Sequence, residues 1–323
     1  MKPRLLHRGG MPTPGLVLAQ NVGPLAKGLV LSQEQIEQLR ELAWSELHLV
    51  ELEPGDLHED VAGERLAAAS AGDGVGVQPL ASGSWPLAAQ RRGLLEIEAA
   101  QLARVNQIDD LVVVTLPQGQ VVVDREVVGR AKIVPFVARE ENVRRAEAIA
   151  TESSGLLRVR PFVLTRVAAV VQENVDDAGL KSLGEKLAFF GAALVSVTRI
   201  GTGEMRLEGA QLVIMAGSKV MDPLDPAIQA LTRAGARVEK LGVPLHPGIL
   251  LWLAYLDQVP VIGAPSCAIF SRPTAFDLLL PRLLAGRRPS RAELAELGAG
   301  GLLTKEMAFR FPPYRPGGVR GEI

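Results

Sequence analysis

With a single cysteine in 323 residues, one copy of the chain cannot build a disulfide framework or a cysteine-based zinc or iron–sulfur centre. Aromatic residues are 4% of the chain and the formal net charge is −1, so both the basic field and the stacking platforms used to hold nucleic acid are missing. Long apolar runs are missing too. The longest, Ile249–Leu256, is far shorter than the roughly 20 residues that span a bilayer. Met1–Gly10 has basic residues and no apolar segment behind them, which reads as a cytoplasmic protein that meets neither membrane nor nucleic acid. Apolar side chains, by contrast, make up 47% of the chain, enough for large cores, and two domains are expected at this length.

The two halves differ in texture. Ser32-Gln33-Glu34-Gln35 is a capping-box start for a helix through about Ala43, Leu47–Leu52 alternates as a strand does, and Pro54-Gly55-Asp56 turns into a helix over roughly His58–Ala71. Gly72-Asp73-Gly74-Val75-Gly76 follows that helix and not a strand, so it reads as a loop and not a dinucleotide fingerprint. Leu111–Leu116, Val121–Val128 and Lys132–Val137 are β-rich runs that suggest a compact antiparallel unit. The charged helical segment Arg139–Ser154 reads as a connector. From Val163 on, strand and helix patterns alternate, which implies βαβ units. The expectation is an α/β fold with a mostly parallel sheet and flanking helices in the carboxyl half, preceded by a smaller α+β domain. The divisions expected are 1–138, a connector at 139–158, 159–290, and an extension at 291–323.

The densest chemistry lies between Gln211 and Gly286. Leu212–Met215 is a short apolar run of the kind buried in a sheet, and it ends in the small residues Ala216-Gly217-Ser218. Lys219, Asp222 and Asp225 follow, before an amphipathic helical run (Leu224, Ile228, Leu231). Strand, small-residue loop, acids and helix start together place polar chemistry where open α/β sheets bind ligands. The amides of Gly217, Ser218 and Lys219 can form an anion nest, or the loop can simply make a tight turn. Asp222 and Asp225 share one face of a first helical turn, where they can cap the helix or take oxygen-loving cations such as magnesium. Pro247-Gly248 and Gly263-Ala264-Pro265-Ser266 are two further small-residue corners after apolar segments.

The segment Ala216-Gly217-Ser218-Lys219-Val220-Met221-Asp222-Pro223-Leu224-Asp225, with Pro247-Gly248 and Gly263-Ala264-Pro265-Ser266-Cys267 after it, resembles the molybdopterin-binding domain of molybdenum-cofactor insertases and stand-alone molybdopterin-binding proteins. Phe276–Gly286 closes the segment as in the stand-alone members. The resemblance covers about the last half of the chain. It implies molybdopterin or its adenylylated form as ligand, Mg2+ and molybdate as further ligands, and Asp225, Asp222 and Glu173 as candidate catalytic acids, the first two also as metal ligands. Gly217, Ser218, Lys219, Pro247, Gly248, Gly263, Pro265 and Ser266 would line the pocket. It also implies a homo-oligomer and a partner molybdoenzyme or biosynthetic protein. Of the insertases' Thr-Gly-Asp-Glu segment, Val171-Gln172-Glu173-Asn174 keeps only the glutamate, and their later Asp-Asp pair is absent around Arg199–Glu204. Three readings follow: a molybdopterin molybdotransferase with weak turnover, a non-catalytic cofactor carrier or sensor, or a nucleotide-pyrophosphate hydrolase. His58-Glu59 has a counterpart in stand-alone relatives, and His246 and Cys267 read more simply as a loop residue and a small core filler.

Overall fold

The computed structural model describes residues 1–81, 83–172, 175–200, 207, 209–218, 224–269 and 274–314. The chain forms two compact units. The first comprises Met1–Arg91, Glu96–Leu116 and Val123–Val159; the second comprises Arg92–Leu95, Pro117–Val122 and Arg160–Ile323.

The first unit is built from small antiparallel sheets. Lys2–His7, Glu46–Glu51 and Val17–Leu18 pair into one of them. Helix Gln33–Glu41, started by the Ser32/Gln35 capping box, adds Ile36 and Leu39 to its apolar core. A second sheet joins Val75–Val77, Trp85–Ala89, Val127–Ile133 and Leu111–Thr115. Helix Glu59–Ser70 packs on that sheet and on helix Glu140–Thr151. The latter is helical as its charge pattern suggests, and it buries Val143, Ala146, Ile149 and Ala150 within this unit.

The second unit carries one six-stranded sheet. Its strands are β1 (Arg166–Val171), β2 (Ala193–Arg199), β3 (Leu212–Ala216), β4 (Arg237–Leu241), β5 (Trp252–Leu256) and β6 (Val259–Ala264), in the order β2-β1-β3-β6-β5-β4. Its helices are α1 (Asp177–Phe189), α2 (Pro226–Arg233), α3 (Ser266–Ile269), α4 (Ala275–Leu284) and α5 (Arg291–Glu296). Successive strand residues point to opposite faces. Val167, Ala169, Leu212 and Ile214 join a core with α1 and α4, whereas Ala168, Val170, Val213 and Met215 join a second core with Leu231 of α2.

The expected mostly parallel sheet is not what forms: the sheet is mixed. β2, β1, β3 and β6 are parallel, but β5 runs antiparallel to both β6 and β4. The source of the difference is the run Ile249–Leu256, whose second part is β5. Only Asp257-Gln258 separates β5 from β6, and Asp257 takes φ +50°. A two-residue connection makes a hairpin, since a parallel crossover needs a dozen residues or more. With the antiparallel sheets of the first unit, the chain is a mixed α and β structure. Among the described residues, no helix is long and apolar enough to cross a membrane.

Candidate functional site

β3 is buried at every residue, from Leu212 to Ala216. At its end Gly217 takes φ +88°, in the left-handed region where a glycine has no steric cost. Its N–H donates to the Ala264 carbonyl at 2.7 Å, and the Gln172 N–H donates to the Ala216 carbonyl at 2.9 Å. The register places Val171 beside Ala216 and Ala216 beside Ala264. The carboxyl ends of β1, β3 and β6 are thus stitched into one edge. The Gly217 amide is bonded to Ala264, and the glycine makes the turn that leads out of β3.

Asp225 returns to this edge at the start of α2, where its carbonyl accepts from the Gln229 N–H at 3.0 Å. Its residue surface is only 4% exposed. Ser218 Oγ donates to Asp225 Oδ2 at 3.1 Å, and Gln172 Nε2 lies 3.2 Å from both carboxylate oxygens. Trp252 Nε1 in turn donates to Ser218 Oγ at 3.1 Å. A carboxylate buried at this depth needs donors to offset its lost hydration, and the Gln172 amide after β1 and the Ser218 hydroxyl after β3 are among them.

The remaining pocket candidates divide. Pro265 is buried and its carbonyl accepts from the Ala268 N–H at 2.9 Å, starting α3; Ser266 is half-buried and Cys267 is exposed on the same short helix. Gly263 has a packing reason to be glycine. It lies opposite Trp252 in the β5–β6 ladder, and a Cβ there would sit 1.8 Å from Trp252 Cε2. Pro247-Gly248 is tied to the start of α4: the Ala275 N–H donates to the Pro247 carbonyl at 2.9 Å, and a Cβ on Gly248 would meet Ala275 Cβ at 2.4 Å. Glu173, Lys219 and Asp222 lie outside the described residues. Sequence reasoning overlooked Gln172, Trp252 and the hydrogen bonds that make them part of this edge. Gln172 could have been noticed as the residue after β1, matching Gly217 after β3.

In the first unit, His58 is accounted for by structure. Its Nε2 bonds the Gly28 carbonyl at 2.8 Å, and its Nδ1 accepts from the Asp60 N–H at 3.3 Å, capping helix Glu59–Ser70. Burial pushes the neighbouring Glu59 carboxyl up from its ordinary range. Among the described residues no group of three or more His, Cys, Asp or Glu is placed to hold a metal ion.

No protein-family model matches the chain, and no curated protein matches its sequence. Among solved structures, it is similar to a molybdopterin biosynthesis MoeA protein from Pyrococcus horikosii, with 12% identity and a TM-score of 0.30 over 71% of this chain and 79% of that one. It is also similar to a molybdenum cofactor biosynthesis protein from Pyrococcus furiosus, with 15% identity and a TM-score of 0.23 over 60% of this chain and 72% of that one. Superpositions this loose carry no argument about the site.

Proposed function

We propose that the second unit binds molybdopterin, or adenylylated molybdopterin, at the edge formed by the ends of β1, β3 and β6, and that the protein serves molybdenum cofactor biosynthesis. One observation carries the reading. Asp225, the acid matched by the motif resemblance, is buried at the carboxyl ends of parallel strands and held by Ser218 and Gln172, the latter 53 positions away in sequence. A fold that places a carboxylate there at the cost of its hydration is using the place where open sheets bind small molecules.

Magnesium does not fit the described residues by themselves. They place no group of three or more His, Cys, Asp or Glu around Asp225, and both of its oxygens lie within reach of the Gln172 amide, one of them also taking the Ser218 hydroxyl. A hard cation asks for several oxygen ligands in near-octahedral array. No catalytic step is therefore assigned to a metal or to molybdate, and the proposal is one of binding. A carrier or sensor of the cofactor fits it as well as an insertase does, and a nucleotide-pyrophosphate hydrolase is the outcome that would displace it.

The test is mass spectrometry of small molecules released from protein purified out of a molybdenum-replete host. A pterin recovered with parent protein and lost from Asp225→Ala supports the reading. Recovery of nucleotides without pterin would replace it with the hydrolase.

A further inference from the structure

Trp252 belongs to none of the motifs that pointed to this site, yet it reaches into its centre from the antiparallel strand β5. We propose that Trp252 is a positioning residue, whose indole N–H fixes the Ser218 hydroxyl and thereby holds the Asp225 carboxylate in place. The inference goes beyond the binding reading, and its test does not depend on that reading.

The argument follows from what each group can do. An indole nitrogen only donates, whereas a hydroxyl has one hydrogen and two lone pairs. With Trp252 Nε1 at 3.1 Å, Ser218 Oγ is an acceptor on that side, and its single hydrogen is left for Asp225 Oδ2, also at 3.1 Å. Ser218 is fully buried and Trp252 is 1% exposed, so water does not compete at either bond. The indole is itself fixed. It sits over Gly263 in the ladder, in space that any Cβ would invade, and packs with Val261, Val213 and Met215. Gly263 and Trp252 thus form a rigid support from which Ser218 is held at its hydroxyl.

The test is amide hydrogen exchange at Gly217, next to Ser218, and at Gln229, whose N–H groups bond the Ala264 and Asp225 carbonyls. Trp252→Phe keeps a ring and removes the donor; Ser218→Ala removes the relay; Val261→Ala weakens the same core without touching either bond. Trp252→Phe and Ser218→Ala should each speed exchange at Gly217 and Gln229 about tenfold relative to Val213, the scale of one buried hydrogen bond. The double variant should be no faster than either single one, and Val261→Ala should leave the ratio unchanged. Equal ratios in Trp252→Phe and Val261→Ala would overturn the proposal. If Trp252→Phe does not fold, Ser218→Ala decides it in protein whose other tryptophans, Trp44 and Trp85, are phenylalanine. Trp252 emission should shift to the blue as its N–H loses its acceptor, and an unshifted spectrum would overturn the proposal. Titration of parent protein with molybdopterin runs alongside: no binding there counts against the proposed function and leaves the exchange result to judge Trp252.

Discussion

Lys186 and Asp277 form an ion pair of 2.8 Å with neither side chain exposed to solvent. The lysine comes from α1 and the aspartate from the first turn of α4, where Asp277 Oδ2 accepts from the Thr274 N–H at 2.7 Å and Oδ1 from the Tyr314 hydroxyl at 2.5 Å. Burial first, and the Asp277 charge second, push the Tyr314 phenol well above its ordinary range. Asp277→Ala should therefore be severe, about 3–5 kcal/mol, because it strands a buried ammonium and removes a helix cap together. Replacing both partners by apolar residues, Lys186→Met with Asp277→Leu, should recover much of the loss. Urea denaturation measures both, and an Asp277→Ala midpoint equal to the parent's would refute the ion pair's role.

A second prediction concerns Gly263. Overpacking a core costs about 1–3 kcal/mol, and a Cβ placed 1.8 Å from the Trp252 ring lies at the upper end of that range or beyond it. Gly263→Ala should therefore destabilise the second unit strongly. Pairing it with Trp252→Ala should cost less than the sum of the two single changes, since the clash has been removed. Strict additivity in thermal melts would show that the two do not share this space.

The first unit has its own test, in pH. Arg65 grips Glu147 through two bonds of 2.8 Å, joining helices Glu59–Ser70 and Glu140–Thr151. This hydrogen bonding, ahead of the opposing effect of burial, holds the Glu147 carboxyl below its usual range. A depressed carboxyl stabilises the fold above its unfolded pKa, and the contribution disappears as pH falls through the folded value. Both side chains are about a third exposed, so the pair is worth about 1 kcal/mol or less after screening. Glu147→Gln should lower stability at pH 7 and flatten the loss seen on acidification below the ordinary glutamate pKa. Parallel acid-stability profiles for parent and variant would rule the pair out.

These relationships show what the sequence discloses and what it hides. β3, its glycine corner and the acid after it are legible because apolar runs, turn residues and helix starts are local signals, and the caps at Ser32 and Ser290 are local too. β5 is hidden because Ile249–Leu256 is apolar throughout, and a continuous run does not separate loop from strand without punctuation. Asp257-Gln258 is weak punctuation. Gly263 looks like a ligand-facing glycine in one dimension; only the pairing with Trp252 shows what it makes room for. Lys186 and Asp277 each read as ordinary polar residues on a helix, because the partner of each is 91 positions away.

At the site itself, Asp225→Ala removes the acceptor for the buried Ser218 hydroxyl and the half-buried Gln172 amide, at a cost of about 1–3 kcal/mol. Asp225→Asn keeps one acceptor oxygen in the same space. Its melting temperature should therefore lie closer to the parent's than that of the alanine variant does, and the reverse order in calorimetric scans would contradict the hydrogen-bond assignment.

The central claim is that the edge around Asp225 binds a pterin, and the most direct measurement is isothermal titration of the intact protein with molybdopterin under anaerobic conditions. A saturable heat in the parent, weakened about tenfold or more in Asp225→Asn because a neutral amide holds Ser218 and Gln172 at this edge less firmly than the carboxylate does, is the predicted result. No heat in the parent, or equal affinity in the two proteins, would contradict the account.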